Sequence, residues 1–226
     1  MAYSFPSHIH TIIMHEQLII LNERDDSYTI LSESQTKVLV AENFSCNKFR
    51  EISETLARMK LIEAGNTKLQ KIKTADKNYE GIDNYVWRTN RVAITKNPGL
   101  RVIVRAYMDL ALLKIHLARK GLETTFNGMR ASKIKFLDTT PPHTTTVILD
   151  YARAIQAASV FLPFKVKCLE SSICVYNYAM QHGIKCDFFI GVQLFDFLSH
   201  AWVEIDGDVV LDDKDLSRKI PTILSI

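Results

Sequence analysis

Between Cys168 and Asp213 the hydrophobic period of the chain switches from helical to strand-like, and that switch restricts the fold more than any other feature. Leu169, Ile173, Tyr176 and Met180 recur at three- and four-residue intervals, and Gly183 supplies a stop. This spacing predicts a helix that begins at Cys168. Two β-rich segments follow, 186–193 and 199–205, and Asp206-Gly207 joins the second to a third, 208–213, as a hairpin. A helix followed by strands in this order reads as an α+β fold.

Upstream, the period predicts helices over 100–119 and from Val147 to Phe161, separated by a broken stretch from Gly121 to His143 that contains Pro141-Pro142. The first of these carries Arg101, Arg105, Asp109, Lys114 and His116, too many charges for a lipid-facing span, so no membrane segment is expected. The chain opens differently. Ile9–Met14, Gln17–Asn22 and Tyr28–Leu31 read as three short antiparallel strands. Val38, Leu39 and Ala41 mark a short helix, and Phe49, Ile52, Leu56, Met59 and Leu61 a second one, with Gly65 as its stop. Residues 66–85 are polar and aperiodic and are read as a linker, which divides the 226 residues into 1–85 and 86–226.

Composition narrows the function class. With 47% hydrophobic residues the chain can build a packed core, and a net charge of +3 leaves no electrostatic footprint that calls for nucleic acid. The N-terminus lacks the basic start, apolar run and small-residue cleavage site of a secretory signal. Four cysteines without a CxxC pair argue against a zinc ribbon or a disulfide scaffold, and a reducing, cytoplasmic setting is the expectation.

In that setting a cysteine is either core filler or a nucleophile. Cys168 stands at the start of its helix, where unpaired N–H groups and the helix dipole favour a thiolate and can hold an oxyanion, and Lys165 and Lys167 add positive potential. His200 opens a strand downstream, and Asp212-Asp213 follows one hairpin later. Nucleophile, base and acid in this order form the triad of a cysteine hydrolase, in which the acid fixes the imidazole tautomer. Cys46, Cys174 and Cys186 have no such partners, and Glu204 reads as a supporting carboxylate. The choice between Asp212 and Asp213 depends on the turn. A two-residue turn sets His200 opposite Asp213, and a three-residue loop of Ile205, Asp206 and Gly207 sets it opposite Asp212.

The stretches LPFKVKCLESS, HGIKCDFFIGVQ and SHAWVEIDGDVVLDD, with the tail SRKIPTILSI, resemble the lasso-peptide maturation proteases in which a leader-recognition domain is fused to a transglutaminase-like (papain-related) cysteine protease. The N-terminal segment IHTIIMHEQLIILNERDDSYTILSESQTKVLV is similar to their small winged-helix-like domain. The resemblance implies Cys168 as nucleophile, His200 as base and Asp212 as orienting acid, the family spacing selecting the three-residue loop. It implies removal of the leader from a ribosomally made precursor, with an asparagine-synthetase-like cyclase as partner. The leader is expected to add as a strand along Tyr28, Thr29, Ile30 and Leu31, against the helix bearing Phe49, Ile52 and Leu56. Cleavage in that family is linked to ATP, yet the chain carries no P-loop or other nucleotide motif, so no cofactor or metal is expected to bind directly. Three other readings compete. An acyltransferase would use the same triad, a non-enzymatic winged-helix protein would bind duplex DNA, and Cys168, His200 and an aspartate would ligate a metal.

Overall fold

The structure, a computed structural model, describes residues 2–41, 46–65, 72–75, 79–82, 98–135 and 145–226. It divides into two compact units, Met1–Asn78 and Tyr79–Ile226. Pro141, Pro142 and most of the 66–85 stretch lie outside the described residues.

The first unit is organised by its most apolar strand. β1 (Ala2–Ser4), β2 (Ile9–Met14), β3 (Gln17–Asn22) and β4 (Ser27–Leu31) precede the helices α1 (Glu33–Val40) and α2 (Asn47–Arg58), followed by β5 (Glu63–Gly65) and β6 (Lys73–Thr74). Leu18, Ile19, Ile20 and Leu21 of β3 are all fully buried, so β3 is covered on both faces, in a sheet ordered β4-β3-β2-β6. His15 and Glu16, both with positive φ, close the two-residue turn that pairs Met14 with Gln17. Among the described residues β4 pairs with β3 alone and forms one edge of the sheet. Ser32 caps α1 in a reciprocal arrangement with Gln35. The helix α2 ends at Arg58, not at Gly65. Lys60 adopts a left-handed φ of 58°, Leu61 turns into the core, and Gly65 instead ends β5, which pairs with β1.

In the second unit, helices cover a four-stranded sheet. α3 (Leu100–Lys135) is two helical segments joined at a kink, where the sequence reads a break at Gly121, and the helix resumes beyond it, where the sequence reads none. Gly121 bends it there, with φ 76° and ψ 175°, a region open essentially to glycine alone. α4 (Thr145–Ser159) and α5 (Cys168–Gln181) pack against α3 and each other, with Tyr151 and Tyr178 stacked 3.7 Å apart. The sheet runs β10-β7-β8-β9, from β7 (Asp187–Gln193), β8 (Leu198–Ile205), β9 (Asp208–Val209) and β10 (Thr222–Ser225), with the short α6 (Leu216–Lys219) between the last two. The expected third strand, 208–213, shortens to two residues, and β10 has no counterpart in the sequence reading. Gly81 and Ile82 bond to Lys219 O and Gln193 Oε1, which ties the start of this unit to its sheet. No helix among the described residues is long and apolar enough to cross a membrane.

Candidate active site

Cys168 is the first residue of α5 and is partly exposed. The N–H groups of a helix's first turn have no partner within the helix, so they point outward beside the thiol. The Glu170 carboxylate accepts from the Lys167 N–H at 3.1 Å and from Lys114 Nζ at 3.0 Å, which fastens the entry to α5 and links it to α3. Beside Cys168 lies a cavity of about 200 Å³ whose walls include Ser172, Val175, Ala201, Val203 and Asp212. A larger hollow of about 820 Å³ opens between α3 and α5, lined by His116, Arg119 and Tyr178 among others, and does not touch Cys168.

His200 reaches this thiol from β8. Its side chain is fully buried, its Nε2–H donates to Asp212 Oδ2 at 2.7 Å, and the Cys168 thiol acts on it electrostatically. With Nε2 committed to Asp212, Nδ1 is the nitrogen left to meet the sulfur. Burial is the largest single influence on this imidazole and pulls its pKa down. The bond to Asp212 and the influence of Cys168, with their charges, outweigh it and raise the pKa to about 9. The Trp202 ring lies nearly parallel to His200, 6.2 Å away, and is itself held by Glu204, which accepts from Trp202 Nε1 at 2.8 Å. Gly191 pairs with His200 across the ladder. A Cβ there would stand 2.7 Å from Ile220 and 2.9 Å from Trp202, so only glycine lets this layer close.

Asp212 arrives by a route the sequence reading did not foresee. The hairpin closes with a two-residue turn, Asp206 and Gly207 both at positive φ, and pairs Ile205 with Asp208 and Glu204 with Val209. The expected three-residue loop is therefore not formed. A regular ladder in this register would set Asp213 opposite His200, but β9 stops at Val209 and Leu211 takes a left-handed φ of 52°. That kink redirects the chain and delivers Asp212 to the imidazole. Asp213 turns away, accepting from the Asp215 N–H and pairing with Lys219, whose ammonium holds its carboxyl below the usual range.

The remaining cysteines are placed differently. Cys174 and Cys186 are buried, and burial pushes the Cys186 thiol up to about 12 and that of Cys174 higher still. Cys46 immediately precedes α2. Among the described residues no group of three or more His, Cys, Asp or Glu is arranged to hold a metal ion. In the first unit, Thr29, Ile30, Leu31, Ile52 and Leu56 line a groove of about 470 Å³ along β4 and α2. Tyr28 is not in its lining, and Phe49 is buried in the core beneath. The sequence reading missed Ser172, whose Oγ donates to Ala201 O at 2.9 Å. The available signal was a hydroxyl one turn beyond Cys168 in a helix otherwise read for its apolar period.

A family model described as the transglutaminase-like superfamily matches residues 109–225, just over half of the 226-residue chain. Neither the curated proteins nor the solved structures contain a match to the chain.

Proposed function

The chain belongs to the transglutaminase-like superfamily, a fold of cysteine proteases and acyltransferases, and from that premise we propose that it is a cysteine peptidase acting through Cys168, His200 and Asp212. The observation that carries the reading is the hydrogen bond from His200 to Asp212, on an imidazole whose pKa is also raised by a thiol at a helix N-terminus. An imidazole that keeps its proton to about pH 9 is an acid at neutral pH. The Cys168 sulfur attacks the scissile carbonyl, and the first-turn N–H groups of α5 receive the oxyanion. His200 gives its proton to the leaving amine, then takes one from the water that opens the thioester. Asp212 holds the ring and its charge throughout.

The substrate in this proposal is a ribosomally made precursor peptide of the lasso type, from which the enzyme removes the leader, leaving a free amine for a separate asparagine-synthetase-like cyclase. Supporting it are the edge position of β4 and the apolar groove beside it, which suit an extended peptide added as a further strand. The first unit then acts as a winged-helix-like recognition domain that raises the local concentration of substrate near the thiol. The same triad would serve an acyltransferase, and the products separate the two. Incubation of the full chain with a precursor peptide encoded beside its gene, with and without added methylamine, should give a leader ending in a free carboxylate in both cases. A methylamide as the sole product would replace the peptidase reading with acyl transfer, and an uncut precursor would remove the proposed substrate.

A further inference from the structure

Among the described residues β8 has no strand neighbour beside His200 on the edge that β9 covers further along. Val210 N–H donates to Val203 O at 2.9 Å, and alternate residues of a strand direct their peptide groups to the same edge. Ala201 O therefore points to that edge too, past Val209, the last ladder residue of β9. A carbonyl in this position needs a donor, and α5 supplies one in Ser172 Oγ, at 2.9 Å. Ser172 lies one turn from Cys168 on the same helix face, and Ala201 directly follows His200. A single bond thus joins the first turns of the nucleophile's helix to the strand within one residue of the base. Among the described residues the adjacent Ser171 donates to Lys167 O and Cys168 O of its own helix turn.

We propose that Ser172 is a positioning residue, standing in for the missing ladder partner of Ala201 and thereby holding Cys168 in hydrogen-bond reach of His200. This deepens the hydrolase reading above and rests on it. The early end of β9 then has two consequences at once. It frees Asp212 to reach the imidazole, and it leaves a carbonyl by which the helix is fastened to the strand.

The test uses the full chain and needs no peptide substrate. Alkylation of Cys168 by iodoacetamide at pH 7 is followed by mass spectrometry, and the His200 ring is titrated by NMR, its signal assigned by its loss in His200→Gln. Ser172→Ala should slow alkylation about tenfold, since a misplacement near 1 Å costs up to about 10²-fold in such pairs. It should also move the His200 midpoint from about 9 toward 6.5. Ser172→Thr, which keeps the hydroxyl, should restore both readings. If Ser172→Ala is too unstable to assay, Ser172→Cys, with a weaker donor, should show the same shift of midpoint. A wild-type midpoint near 9 that either variant leaves unchanged at matched melting temperature overturns the role of Ser172 alone. A wild-type midpoint near 6.5 overturns the thiol–imidazole pair and with it this inference, whereas the hydrolase reading falls separately, on undiminished precursor cleavage by Cys168→Ala.

Discussion

Asp212 accepts the Nε2–H of His200, while Asp213 is held by Lys219 and by the Asp215 amide. Asp212→Asn should therefore lower turnover by roughly 10²–10⁴, as loss of a triad acid does elsewhere, and Asp213→Asn should change it little. Cleavage rates of the two variants at matched folding check this, and a crippled Asp213→Asn would mean that the wrong carboxylate has been assigned. The same bond has a thermodynamic signature. The His200 pKa is raised in the folded protein from 6.5 to about 9, so its stabilising contribution is complete below pH 6.5 and is lost as pH rises through 9. The shift corresponds to about 3 kcal/mol at most. Thermal melts should show stability declining from pH 6.5 to 9, with a flatter profile for Asp212→Asn. Equal slopes would mean that Asp212 does not hold the imidazolium.

At the scale of elements, the acid depends on a strand that ends early. Leu211 sits at φ 52°, a conformation that costs a non-glycine residue about 1–2 kcal/mol. Leu211→Gly should keep the kink and most of the activity, whereas Leu211→Val, β-branched and poorly suited to positive φ, should pull Asp212 from His200 and lower turnover. Retained turnover in Leu211→Val would show that the kink is not what presents the acid. This element also marks where the sequence stops being legible. The helix from Cys168 and the strands 187–193 and 198–205 follow from periodicity, because their apolar positions repeat and Gly183 and Gly207 punctuate them. The residue pair His200 and Asp212 was legible only through spacing within a family, and the turn invoked to explain it was the wrong one. Nothing local in VVLDD announces that pairing ends after two residues, since its alternation suits a full strand; the kink is a tertiary outcome. The helical segment beyond Gly121 is not legible because the glycine does interrupt the helix, as the sequence reads, and nothing in the polar stretch after it announces that a helix resumes. β10 is not legible because its four residues include only two apolar ones, Ile223 and Leu224, too few to show a period.

At the scale of the whole molecule, two units divide the labour that the proposal requires. If the leader adds to β4, a proline placed at Thr29 or Ile30 removes a backbone donor from that strand. Because neighbouring residues face opposite edges, one of these donors points to β3 and the other to the open edge. The variant that keeps the melting temperature should be the one that loses affinity for the leader peptide in a titration, and unchanged affinity in both would place leader binding elsewhere. Everything above nevertheless depends on the thiol. The most direct measurement is the rate of precursor cleavage by Cys168→Ala, followed by mass spectrometry, beside Cys174→Ala and Cys186→Ala at matched folding. Cys168→Ala should lose at least about 10³-fold in rate, with most activity retained in the other two. Cleavage by Cys168→Ala at a rate near that of the wild type would contradict this.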